Sequence, residues 1–336
     1  MTRRLPVLAL AAVSVLALAG CSTATADAGS STDTTDGTLQ VVASTNVYGD
    51  LAATIGGDRV EVTSLIDSAA KDPHSYAASA RDRLAVQQAD LVIENGGGYD
   101  SFMDELLDGS GATVIVASEH SADYPDADAD AHDDHADEAD HADEADTHTD
   151  EADTHEGHDH IEGFNEHVWF DVHTVTDVVE QIAADLAEID PEGAADYQAN
   201  AAELIADLGA IETEQEALHV ALEGTPVIIT EPLPGQLAAA VGLEDVTPDG
   251  FASAVEEGND VAPAVLLDTL TLLEDGDADA VLVNAQTGGA ETDRVEQAAK
   301  DAGIPIIGFT ELLAPDQSYA EWMRAAISDL AAALQK

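Results

Sequence analysis

Short apolar blocks punctuate the first part of the chain, separated by longer stretches with helical periodicity. Val41 to Ser44, Leu91 to Glu94 and Thr113 to Ala117 read as buried strands, and Val60 to Ile66 alternates apolar and polar residues as a strand does. Val47 to Ile55 and Arg81 to Gln88 read as helices. Further on, Val227 to Thr230, Ala280 to Asn284 and Pro305 to Thr310 read as strands, with helices over 261–274, 290–302 and 317–334. Strands alternating with helices predict parallel sheets with crossover helices. Between the two series, Asp190-Pro191 reads as a helix start, with Asp as N-cap and Pro at the first helical position. Ala201, Leu204, Leu208, Ile211 and Leu218 then fall on one face at heptad-like spacing, out to Leu222 and a stop before Gly224. Such a helix is about 45 Å long, enough to cross from one lobe to another. The predicted class is therefore α/β: two lobes with parallel-rich sheets flanked by helices, joined by one long helix. The lobes span 39–189 and 224–336, and the linking helix spans 190–223.

The N-terminus lies outside this pattern. Arg3 and Arg4 precede an apolar run from Leu5 to Ala19 that ends in Leu18-Ala19-Gly20-Cys21. Charge, apolar core and small residues in that order predict a secretory signal over 1–21. The run is too short to favour a permanent membrane span. Leu-Ala-Gly-Cys resembles a bacterial lipobox, which implies that Cys21 carries a lipid anchor on the outer face of the cell membrane. Cys21 is the single Cys of the chain, so no internal disulfide forms. Residues 22–38, rich in Ser, Thr, Asp, Gly and Ala, suit a flexible tether.

Charge narrows the partners. Ten basic residues against 69 acidic ones give a formal charge of −59, which repels nucleic acid and anionic lipid and favours cationic ligands. A salt-tolerant surface has the same composition. Part of the imbalance is local: residues 121–160 hold 17 acidic residues, 7 His and no Lys or Arg. A short tandem repeat, His135-Ala-Asp-Glu-Ala-Asp140 and His141-Ala-Asp-Glu-Ala-Asp146, lies within it. Residues 119–164 cannot bury enough apolar surface to fold alone and read as a mobile loop.

Four residues stand out as candidate metal ligands. His74 sits in Asp72-Pro73-His74-Ser75-Tyr76, beyond the strand ending at Ile66. His167 sits in Asn165-Glu166-His167-Val168-Trp169, after the acidic loop. Glu231 and Glu311 directly follow the strands Val227–Thr230 and Pro305–Thr310. Open parallel sheets bind ligands at the carboxyl ends of their strands. Imidazole nitrogen with carboxylate oxygen suits Zn, Mn or Fe(II). Each Glu also has a plain structural reading, as a residue stabilised near a helix N-terminus.

The chain resembles the metal-binding solute-binding lipoproteins of zinc and manganese ABC transporters, a group that also contains surface adhesins. The resemblance runs from about Leu39 to the C-terminus. It is carried by Asp72-Pro-His-Ser-Tyr with Ser79-Ala-Arg-Asp, Ala89-Asp-Leu-Val-Ile-Glu-Asn-Gly, Glu166-His-Val-Trp-Phe-Asp, Asn284-Ala-Gln-Thr, and Gly303-Ile-Pro with Ser318-Tyr-Ala-Glu-Trp-Met. It implies a metal site between the lobes built from His74, His167, Glu231 and Glu311, two ligands from each lobe. Glu166-His replaces the commoner Pro-His, and Glu231 stands where many zinc members carry His. It also implies a long helix that limits hinge opening, a monomeric binding protein with no enzymatic activity, and delivery of the ion to an ABC permease and its ATPase. Four protein ligands would close the open position that a catalytic metal needs for water.

Two features pull the metal preference apart. Two imidazoles with two carboxylates make a harder site than three imidazoles with one, which favours Mn or Fe(II). The loop histidines His132, His135, His141, His148, His155, His158 and His160 favour zinc as auxiliary ligands, since pairs such as His132/His135 and His155/His158 can share an ion. Zinc is the expected cargo, because Zn ranks above Mn for most N/O sites.

Overall fold

The computed structural model describes residues 38–68, 71, 73, 76–125, 161 and 163–335. The N-terminal half forms a four-stranded parallel sheet from β1 (Leu39–Thr45), β2 (Val60–Ile66), β3 (Leu91–Glu94) and β4 (Thr113–Val116), in the order β2-β1-β3-β4. The helices α1 (Asn46–Gly56), α2 (Ala80–Gln88) and α3 (Phe102–Leu107) connect the strands. β3 is buried throughout, as a central parallel strand must be. Ser79 starts α2 with a capping box: its hydroxyl accepts from the Asp82 N–H, and the Asp82 carboxylate accepts from the Ser79 N–H.

Two long helices follow. α4 (Val172–Ile189) is capped by the Asp171 carboxylate, and α5 runs from Ala194 to Leu222. The helix start expected at Asp190-Pro191 lies instead in the turn between them. Asp190 ends α4, and its carboxylate accepts from Tyr197 Oη at 2.9 Å, Arg59 Nη1 at 3.1 Å and the Glu192 N–H at 3.2 Å. Asp favours such a turn as readily as a cap, because its carboxylate bonds the backbone two residues on. α5 buries Tyr197, Ala201, Leu204, Leu208, Ile211, Gln215, Leu218 and Leu222, alternating steps of four and three residues. That 3.5-residue period keeps one stripe facing its neighbours along the whole helix.

The C-terminal half repeats the first arrangement. It comprises β5 (Thr225–Ile229), α6 (Gly235–Ala240), β6 (Leu243–Asp245), α7 (Phe251–Glu256), α8 (Pro263–Asp275), β7 (Ala280–Asn284), α9 (Ala290–Ala302), β8 (Ile306–Phe309) and α10 (Tyr319–Leu334). The strands are parallel in the order β6-β5-β7-β8. In both sheets the order reverses between the first and third strands, and ligands of open parallel sheets sit beside that switch point. Three elements are too short to show a period in the sequence: α3, β6 and α7.

A single apolar cluster runs through both halves, from Val41 and Ile93 through Leu208 and Ile211 to Leu282 and Phe309. Polar contacts also join the halves. The Asn46 side chain donates to Leu313 O at 2.9 Å and accepts from the Leu313 N–H at 3.1 Å. Tyr319 Oη, on α10, donates to Trp169 O at 2.8 Å. Among the described residues no helix is long and apolar enough to cross a membrane.

Candidate metal site

The carboxyl ends of β5, β7 and β8 lie side by side and place three polar side chains together. Glu231 follows β5 by two residues, Asn284 ends β7, and Glu311 follows β8 by two. The Asn284 amide donates one N–H to Glu231 Oε2 at 2.8 Å and the other to Glu311 Oε1 at 2.7 Å. Its orientation is fixed because its Oδ1 accepts from the Gln286 N–H at 2.9 Å. Thr287 Oγ1 lies 2.6 and 2.7 Å from the two Glu231 oxygens. Gln286 Oε1 accepts from the Glu311 N–H at 2.6 Å, which fixes the backbone that carries that carboxylate. Both glutamates are buried, Glu231 6% and Glu311 2% exposed. A neutral amide bridging two carboxylates supplies no countercharge, and burial makes any negative charge they carry costly unless a cation offsets it.

His167 reaches the same region from the N-terminal half. It precedes a single tight turn, Val168–Phe170, that leads into α4. Trp169 and Phe170 are buried, and Trp169 packs edge-on against both Tyr99 (4.6 Å between centroids) and His167 (5.1 Å). Asn165 orients the imidazole. Its amide nitrogen donates to Pro232 O at 3.0 Å, so its Oδ1, 2.9 Å from His167 Nδ1, accepts. The ring proton is therefore assigned to Nδ1, which leaves the lone pair on Nε2 for an ion.

Tyr99 links the two halves of the site. Its hydroxyl donates to Glu311 Oε2 at 2.9 Å, and its ring lies 5.8 Å from that of His167. Burial and then the Glu311 charge push the Tyr99 phenol well above its usual value, so it stays a donor. The preceding loop is glycine-rich because space is short: a Cβ on Gly97, at φ +68°, would come within 3.0 Å of Phe164 and 3.3 Å of Glu166. Behind it, Tyr48 donates to Asn95 Oδ1, and Asn95 donates to Glu166 O at 2.9 Å. The Asp100 carboxylate accepts from the Asn95 and Gly96 N–H groups at 2.7 and 2.8 Å.

Two carboxylates stand beside His167 that the sequence reading did not name as ligands. Glu166, Glu256 and His167 each offer a ligand atom within 4.8 Å of the others, and Glu256 Oε1 lies 3.4 Å from His167 Nε2. Glu256 is pushed up to about 9, first by burial and then by the charges of Glu166, Glu231, Glu311 and Glu257. Burial is the larger cause, and the neighbouring carboxylates add to it. A cleft of about 320 Å³ opens beside Glu231 and Glu256, with Asp260, Thr287 and Glu291 on its walls. Glu166 had a sequence signal, since it occupies the motif position before His167. Glu256 had none, because it lies in a run of acidic residues like many others in this chain.

The structure thus brings together Glu231 and Glu311 through Asn284, and places His167 across from them beside Glu256. His74, Cys21 and the loop histidines His132, His135, His141, His148, His155, His158 and His160 lie outside the described residues.

Residues 41–333 match the family described as ZnuA: Zinc-uptake complex component A periplasmic. The chain is 26% identical over 316 residues to the manganese-binding lipoprotein MntA of Halalkalibacterium halodurans, covering 92% of this chain and 91% of that protein. It is 23% identical over 361 residues to the iron ABC transporter substrate-binding lipoprotein MtsA of Streptococcus pyogenes serotype M1, covering all of both. Among solved structures, the periplasmic zinc binding protein TroA from Treponema pallidum superposes with a TM-score of 0.67 at 18% identity, covering 89% of this chain and 99% of that one.

Proposed function

The chain belongs to the ZnuA family, and on that premise we propose that it is the extracytoplasmic component of an ABC importer that captures one divalent transition-metal ion, zinc in preference to manganese or iron(II), in the cleft between its halves. The ion is cargo, released to a membrane permease powered by its ATPase. His167 supplies Nε2, Glu231 and Glu311 supply carboxylate oxygens, and His74 supplies the second imidazole. The observation that carries this reading is the pair of buried carboxylates tied to one Asn284 amide, facing an imidazole whose Nδ1 proton is already committed. Lipidation of Cys21 holds the protein, as a monomer, at the outer face of the membrane. The histidines of the acidic segment gather zinc before transfer.

Manganese or iron(II) is the second reading, and two observations favour it. Glu231 hardens the site relative to a third imidazole. MntA and MtsA are named for manganese and iron. Elemental analysis of protein purified without added metal, followed by Zn-against-Mn competition in a calorimeter, separates the two. Retention of zinc against excess manganese supports the first reading, and retention of manganese overturns it. Absence of any stoichiometric ion, together with no binding in the titration, overturns both.

A further inference from the structure

Glu256 is the last residue of α7, a helix of the C-terminal half, yet its carboxylate lies against an imidazole of the N-terminal half. α7 is held in place by the fully buried Phe251 and preceded by Gly250 at φ 81°. Its end is therefore set by the core of its own half, and the approach to His167 follows from the packing of the halves. The Glu256 side chain is only 9% exposed and that of His167 only 2%.

His167 Nε2 is the lone-pair nitrogen, because Asn165 Oδ1 takes the Nδ1 proton. The Glu256 carboxylate presents another acceptor, Oε1, to that lone pair at 3.4 Å. In the metal-free protein the raised Glu256 carboxyl keeps a proton that it shares with Nε2, and a divalent ion takes that place when it displaces the proton. Zinc binds nitrogen and oxygen ligands at about 2.0–2.1 Å and can take five of them, so adjacent ligand atoms on one ion lie about 3 Å apart. The observed spacing matches that requirement. A carboxylate at the end of a helix also meets the negative pole of the helix, which raises the demand for a cation.

We infer that Glu256 is a fifth ligand of the captured ion, binding through Oε1 beside His167 Nε2, with the Glu166 carboxylate within 4.8 Å of both. This inference rests on the proposed function and adds a donor to it. It makes α7 part of the capture device: the ion ties the end of α7 to the turn that carries His167.

The test uses the full chain, titrated calorimetrically with Zn(II), and its Co(II)-substituted form, read by visible absorption. Wild type is expected to bind one ion tightly. Glu256→Gln is expected to weaken that binding at least about tenfold, and to shift the cobalt bands because one oxygen donor is lost. Glu257→Gln, an exposed neighbour, is expected to match wild type in both. Equal affinity and an unchanged cobalt spectrum in Glu256→Gln would overturn the inference while leaving the transport reading intact. Weaker binding with an unchanged spectrum would also overturn it, since only long-range charge would then be acting. If Glu256→Gln fails to fold, Glu256→Asp carries the test: withdrawing the carboxylate by one methylene must still move the cobalt bands. Failure of wild type to bind any ion would instead sink the proposed function, and this inference with it.

Discussion

In the C-terminal half, the candidate donors stand at strand ends. Glu231 and Glu311 each follow a strand by two residues, and Asn284 ends the strand between them. In the N-terminal half, which has the same strand order, His167 stands in an irregular turn entering α4. It is held there by Asn165, Trp169 and Tyr99. Strand ends are fixed by sheet hydrogen bonds, so the carboxylate side is preorganised by the fold itself. The imidazole side is preorganised by side-chain packing and one tautomer-setting amide. The same fold thus builds one rigid wall from backbone and the other from side chains, and an ion that bridges them is gripped by two different devices.

That contrast can be broken from either side. The largest effect is expected from His167→Ala, which removes the oriented imidazole and should lower metal affinity at least about 100-fold in a calorimetric titration. A loss below about tenfold would show that the carboxylate wall holds the ion unaided. Asn284→Leu should follow, with a loss of about 10–100-fold, because Glu231 and Glu311 would face each other without their shared donor. If both variants lose equally, the contrast between the walls disappears.

A third expectation concerns the metal-free protein. Burial and neighbouring carboxylates raise Glu256 to about 9, and burial with Asp100, Asp104 and Glu119 raises Glu94 to about 8, from an ordinary 4.5. A carboxyl raised in the folded state binds its proton more tightly there than when unfolded. Its stabilisation is complete below about pH 4.5 and is lost as pH rises through the folded value. Thermal stability of the metal-free protein should therefore fall between about pH 5 and pH 8. Glu94→Gln should flatten part of that slope. Circular-dichroism melts across this range check it, and a Tm that rises with pH would contradict the raised values.

The smallest effect is expected from deleting 126–160. The deletion should leave one tight ion per chain and remove weaker zinc equivalents. It must stop at residue 126, because Tyr124 packs edge-on against Phe164 at 5.4 Å, close to the turn that carries His167. Loss of the tight ion on this deletion would overturn the ligand assignment.

The strand-helix alternation was legible because central parallel strands are continuous apolar blocks, as β3 and β7 are. The long helix was legible because its 3.5-residue stripe spans many turns. The start of that helix was not, because Asp-Pro serves a turn and a cap equally well. α3, β6 and α7 escaped because three to six residues cannot display a period.

Sequence by itself determined the two-lobe parallel α/β class, and its motifs marked His74, His167, Glu231 and Glu311 as candidates. Tertiary structure alone decided that a single Asn284 amide spans Glu231 and Glu311, that Asn165 sets the tautomer of His167, and that Glu256 faces it. The reason is physical. Periodicity and strand-end position are local properties written along the chain. A hydrogen bond between carboxylates of separate strands, or an acid meeting an imidazole of the other half, exists only once the core has packed and fixed the distance.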